Sequence, residues 1–208
     1  MKYESIDSKL FIKNRTNFSR EMKKNSVAFF NSNDIYPVSA DSTLPFEQHR
    51  DIFYLSGIDQ EESILVLSPD NPNPDLREIL FLKETNDHIA VWEGPKINKR
   101  QALEISGIKT VFWLNDLEKV IDKLVSSCKN IYINKNEHYR AKIETETREA
   151  RFNSWLVNKY PKKNKERSNP ILQRLRSIKD PKEISLIQQA CDITNKGFRR
   201  ILGFVKPG

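Results

Sequence analysis

Residues 47–68, EQHRDIFYLSGIDQEESILVLS, decide the fold of this chain. Asp51–Ser56 (DIFYLS) is dense in aromatic and β-branched residues and is halted by Gly57. That composition predicts a strand. The carboxylate-rich Asp59-Gln60-Glu61-Glu62 follows as a solvated loop, since hard cations want six or more ordered oxygen ligands. Ser63–Leu67 then reads as a second, fully buried strand.

Outward from this pair, the chain alternates helix and strand. Phe11, Arg15, Phe18 and Met22 recur at i, i+4, i+7 and i+11, one buried helical stripe. Ser26–Phe30 is a strand and Tyr36–Glu47 a loop around Pro37 and Pro45. Asn71–Asp75 (NPNPD) is a turn, because proline cannot continue a ladder. Glu78–Leu82 and Ile89–Trp92 read as strands and residues 97–106 as a helix stopped by Gly107. Thr110–Trp113 and Ile131–Ile133 are further strands, with a helix capped by Asn115 between them. A long helix is expected from about 136 to 159. These elements predict an α/β domain with a mixed sheet of about six strands flanked by helices.

The last segment differs. Asp180-Pro181-Lys182-Glu183 carries an N-cap, a proline at the first helical position and a carboxylate three residues on. Behind it Ile184, Ile187, Cys191, Thr194, Phe198, Ile201 and Val205 make a broad apolar arc that needs a cover. The helix is expected to belong to a domain beyond Gly208, or to be met by a partner.

Composition narrows function mainly by exclusion. With 208 residues, 38% hydrophobic and 30% charged, the chain can bury a core. No apolar run reaches the roughly 18 residues that span a membrane. The opening MKYESIDSKLF lacks the apolar centre of a secretory signal, and Cys128 and Cys191 form no metal or disulfide pattern. A cytoplasmic protein is the expectation. The formal charge of +7 is spread out, dense only at Lys162–Arg167, which reads as a solvated loop rather than a nucleic-acid patch. His49, His88 and His138 are isolated, and no phosphate-binding loop or nucleophile elbow occurs. Trp92, at the end of Val91-Trp92-Glu93-Gly94, reads as a core anchor or, if exposed at that rim, as an aromatic wall for a ligand or subunit, and Asp41, in the loop Ser39-Ala40-Asp41-Ser42, as a local turn cap or a binding-loop acid.

Taken in order, the Phe11-Arg15-Phe18-Met22 stripe, the Ser39–Ser42 loop, Asp51–Gly57, Leu65–Leu67, Trp92-Glu93-Gly94 and the junction Arg174–Ile184 resemble the N-terminal part of Xaa-Pro aminopeptidases (aminopeptidase P), in the creatinase and prolidase superfamily. The resemblance implies the creatinase/prolidase N-terminal domain, with its ribonuclease H-like motif, over residues 1–170. Residues 171–208 would then be the linker and first helix of a truncated "pita-bread" catalytic domain. It implies a metallopeptidase that releases an N-terminal residue before proline, using two divalent metals, expected to be manganese, whose five ligands all lie past Gly208. No catalytic residue and no metal ligand are therefore expected in this chain. Implied partners are peptides with proline in second place and further copies in a homo-oligomer, with no membrane and no nucleic acid. In bacterial members a tryptophan matching Trp92 reaches a neighbouring subunit's active site, and the loop acid matching Asp41 lies near the cleft. Both are carried over as substrate-cleft edge residues. A prolidase or creatinase domain of the same fold is the alternative, as is a peptide- or histone-binding module like the one that opens the large subunit of the FACT chaperone.

Overall fold

The computed structural model describes residues 5–141 and 143–208, apart from the side chains of Asp87 and Ile89. Its elements are α1 (Ser8–Glu21), β1 (Ser26–Asn31), a small hairpin β2 (Pro37–Ser39) and β3 (Ser42–Thr43), α2 (Arg50–Ser56), β4 (Ile64–Leu67), β5 (Glu78–Leu82), α3 (Asp87–Glu93), α4 (Lys99–Ser106), β6 (Thr110–Trp113), α5 (Leu117–Ser127), β7 (Asn130–Ile133), α6 (Arg148–Lys159), β8 (Asn164–Arg167), α7 (Asn169–Ser177) and α8 (Pro181–Leu202). Six strands form one mixed sheet in the order β6-β5-β4-β1-β7-β8. The pairs β1–β4 and β4–β5 are antiparallel, and β5–β6, β1–β7 and β7–β8 are parallel.

The central strands are buried on both faces, which is why they read as continuous apolar runs. Val27, Phe29, Ile64, Val66, Ile79 and Phe81 point to one side and pack with Ile121, Leu124, Val125 and Leu156 of α5 and α6. On the other side Phe18 of α1 meets Phe30 edge-on, with ring centres 5.2 Å apart. The α1 stripe is buried as its spacing predicts, with Phe11 3%, Arg15 0%, Phe18 0% and Met22 9% exposed. The buried arginine is satisfied at the other end. Its Nε donates to Glu78 Oε2 at 2.9 Å and its Nη1 to the Leu55 carbonyl at 2.9 Å. Nη2 lies equally close to Glu78 Oε2 but is not aligned for a hydrogen bond.

Five sequence expectations are corrected. Asp51–Ser56 is not a strand but most of α2, capped by His49 and closed by Gly57 in the left-handed region at φ 70. Ile52 and Leu55 sit three apart on its buried face, and this tertiary burial overrides the aromatic strand preference. Residues 89–92 are helical rather than a strand. Both edges of β5 are already taken by β4 and β6, so no ladder is left for them. The helix expected from 136 begins only at Arg148. In the described part of that segment Asn136 and His138 bond the backbone two residues on, a local alternative to the helix, and Thr147 supplies the cap at Ala150 N. Lys142 lies outside the described residues. Of the basic run, Lys162 and Lys163 do lie in a loop, but Asn164–Arg167 form β8, an edge strand where charge is tolerated because one side faces solvent. Asn115 caps no helix; α5 starts after a 3-10 turn with no side-chain cap.

Contacts divide the chain into Met1–Gln173 and Arg174–Gly208. In the second unit α8 has the complete capping box, Asp180 bonding the helix start and Glu183 reaching back to the Asp180 amide, with Pro181 at the first position. None of the α8 residues is buried, and Phe198, Ile193 and Leu202 are 63–77% exposed.

Candidate functional site

Trp92 stands on the last turn of α3 and is 81% exposed, with Val91 beside it at 76%. Exposure of so large a ring would mean little on a mobile loop, but here the residues around it are tied down. Lys83, just past β5, holds Glu93 Oε2 at 2.8 Å and Glu62 Oε2 at 3.2 Å. The hydrogen bond to Lys83 keeps the Glu93 carboxyl below its ordinary range. On the far side, Lys96 pairs with Glu61 where both side chains are nearly buried. Gln60 Oε1 accepts from the Ile97 amide at 2.6 Å. The Asp59–Glu62 turn is therefore not the solvated loop its composition suggests. Gln60 and Glu61 are buried, and the turn clasps the chain on either side of Gly94.

The turn is itself held by Gln48. Its Nε2 donates to the carbonyls of Ile58 at 3.0 Å and Gln60 at 2.9 Å. Glu47–Ser68 thus positions the support of Trp92 through backbone bonds that a charge count does not reveal.

Asp41 lies at the tip of the β2–β3 hairpin, after Ala40 in a left-handed turn at φ 50. It is exposed, as are Val38 at 60% and Leu44 at 55%. Trp92 and Asp41 sit on separate elements, and neither side chain makes a hydrogen bond or ion pair among the described residues.

A polar cluster that sequence reasoning missed lies under the C-terminal end of β7. Asn134 is 1% exposed, and its Nδ2 donates to Asp51 Oδ2 at 2.9 Å and to Glu149 Oε1 at 3.0 Å. His49 faces the same carboxylates, Nδ1 at 3.8 Å from Asp51 and Nε2 at 3.7 Å from Glu149. His49 is therefore not isolated. Burial, opposed by the Asn134 hydrogen bond and reinforced by the Asp51 charge, pushes the Glu149 carboxyl up to about 8. The only local signal was His-Arg-Asp at the start of a helix. The partners come from 83 and 98 residues away.

Among the described residues no group of three or more His, Cys, Asp or Glu converges as a metal site. The donor set of the described residues does not fit a two-metal centre.

A family model described as "Aminopeptidase P, N-terminal domain" matches residues 11–132. Human Xaa-Pro aminopeptidase 3 is 27% identical over 170 residues, covering 80% of this chain and 33% of its own length. The low-pH form of Escherichia coli aminopeptidase P superposes with a TM-score of 0.82 at 20% identity, over 99% of this chain and 47% of its own. A zinc-substituted E. coli aminopeptidase P in complex with product gives a TM-score of 0.78 at 21% identity, over 99% and 47%. The chain spans less than half the length of these relatives.

Proposed function

The chain belongs to the aminopeptidase P N-terminal domain family, and from that premise we propose that it is the non-catalytic half of a metal-dependent Xaa-Pro aminopeptidase. In this reading residues 1–170 form the accessory domain and 171–208 lead into the catalytic domain, whose first helix is α8. The exposed apolar face of α8 is consistent with that, because such an arc is stable only when covered. The domain supports assembly of a cytoplasmic homo-oligomer and shapes the edge of the substrate cleft. The metals, taken as two manganese ions, and the proline-second peptide are handled by the other half.

The observation that carries this reading is Trp92. A tryptophan 81% exposed beside Val91 at 76%, on a helix end fixed by Lys83, presents a held apolar surface suited to a ligand or a second subunit. Asp41 on the hairpin tip is the second cleft-edge candidate. The test is peptide hydrolysis by the protein extended past Gly208. Trp92→Ala is expected to lower kcat/KM at least about tenfold and to shift the oligomer toward smaller species, with an unchanged unfolding midpoint. Unchanged turnover and assembly would refute the role. Manganese-dependent hydrolysis of an Xaa-Pro peptide by residues 1–208 alone would refute the non-catalytic assignment.

A further inference from the structure

The six-stranded sheet ends in two edge strands of opposite character, β8 and β6. β8 is Asn164-Lys165-Glu166-Arg167, and its Glu166 and Arg167 are fastened to Lys23 and Glu137. Charge of this kind keeps a further strand from adding to an edge. β6 is Thr110-Val111-Phe112-Trp113, with no charge and no proline, and its register with β5 runs without a bulge. Among the described residues, no backbone hydrogen bond beyond the β5 ladder reaches Thr110, Val111 or Phe112. The side of β6 that faces away from β5 is therefore an open row of backbone donors and acceptors.

Apolar side chains flank this edge on both faces of the sheet. Phe112 and Leu114 are half-buried, as are Leu117 and Val120 of α5. On the opposite face Lys99 Nζ of α4 stands 4.6 Å over the Trp113 ring, and Leu103, one turn further along α4, is 41% exposed. An unlike charge stands at each end of the strand. Lys109 precedes it and Asp116 follows it, both exposed. Asp116 makes no capping bond to α5, and neither side chain makes a hydrogen bond or ion pair among the described residues.

We propose that β6 pairs with β6 of a second copy of this chain, antiparallel about a two-fold axis through the middle of the strand, so that the two sheets run on as one. This rests on the homo-oligomer proposed above and names one of its surfaces. Running an identical strand the opposite way brings Lys109 of each copy to the end where the other turns at Asn115-Asp116. The unlike charges then meet twice, once on each side of the axis. A parallel pairing would set Lys109 against Lys109, and an unrelated peptide has no cause to carry this charge order. The same pairing covers the half-buried apolar residues beside the strand.

The test is sedimentation equilibrium of the chain, of Lys109→Asp, of Asp116→Lys and of the double variant, with amide hydrogen exchange of the unaltered chain at low and high protein concentration. The chain is expected to dimerise with a Kd of roughly micromolar order, since four residues of backbone pairing make a modest contact. Each single reversal sets like charges together twice and is expected to weaken the dimer at least about tenfold. The double variant restores the pairs in the opposite sense and is expected to recover the parent Kd within about threefold. Exchange in β6 is expected to slow as the dimer fills, while exchange in β8 stays unchanged. A chain that stays monomeric, a dimer indifferent to both reversals, or β6 exchange independent of concentration overturns the assignment. If a charge variant fails to fold, the exchange measurement decides by itself. An oligomer that survives both reversals but is lost in Trp92→Ala overturns the β6 pairing and leaves the assembly role of Trp92 in place.

Discussion

Gly57→Ala tests whether Asp51–Ser56 is a capped helix packed on α1. Gly57 has φ 70, a left-handed conformation that strains any L side chain by about 1 kcal/mol. A Cβ there would also stand 2.3, 2.5 and 2.9 Å from three ring atoms of Phe11. That ring is 3% exposed and packs edge-on against Phe53 at 6.1 Å, so it has nowhere to turn. Overpacking of this kind costs roughly 1–3 kcal/mol, for a total of about 2–4. Two other glycines calibrate it. Gly94 has φ 77 with nothing within 4 Å of the added carbon, so Gly94→Ala carries the backbone strain alone, about 1 kcal/mol. Gly107→Ala meets Ile12 Cδ1 at 2.6 Å, but Ile12 is 40% exposed and free to rotate, so its loss falls between the two. Urea unfolding followed by tryptophan fluorescence measures all three, since Trp92, Trp113 and Trp155 all lie in the first unit and report on it alone. The expected order is Gly57, then Gly107, then Gly94, with similar denaturant slopes. A Gly57→Ala loss no larger than that of Gly94→Ala would refute both the cap and the close α1–α2 contact.

Three further outcomes follow from the polar interior. Arg15→Ala leaves Glu78 and the Leu55 carbonyl without their donor and is expected to lose about 3 kcal/mol or more in the same unfolding assay, with Arg15→Lys restoring little because two separate acceptors are bonded by one fork. Glu149 is held protonated well above its ordinary value of 4.5, so between about 4.5 and about 8 the native state binds the extra proton and stability falls as pH rises, levelling off above. Glu149→Gln is expected to remove that decline and to gain on the order of a few kcal/mol over the parent at alkaline pH; a parallel pH profile for the two would contradict the burial argument. Glu61→Gln leaves the nearly buried Lys96 with only Glu93, 3.9 Å away, as counter-ion and is expected to destabilise by roughly 1–3 kcal/mol and to speed proteolytic cleavage near Gly94. Unchanged cleavage would mean the turn does not hold Trp92's helix in place.

The strands that became the sheet centre were legible because they are buried on both faces and so carry uninterrupted apolar residues. The Arg15 position was legible too, since periodicity alone placed it on the buried stripe. What misled was chemistry judged one segment at a time. DIFYLS has strand-forming side chains but lies where a short helix covers the sheet. Asn164–Arg167, the greater part of the basic run, looks solvated but pairs by its backbone with β7. The acids of residues 59–62 look like surface, but their cations, Lys83 and Lys96, come from 21 and 35 residues further along the chain. His49 seemed alone because Glu149 reaches it only once α6 is in place.

By itself the sequence determined the mixed sheet, the α1 stripe, the capping box of α8 and the family resemblance carried by ordered short motifs. These all rest on local periodicity and backbone stereochemistry, which are written within a few turns of chain. Tertiary structure alone decided which carboxylates pair, which one stays protonated, that Trp92 projects from a fixed helix end, and that β6 lies at an edge of the sheet. Those properties depend on burial and on partners distant in sequence, and a buried charge takes its behaviour from the groups that the fold brings within a few ångströms of it.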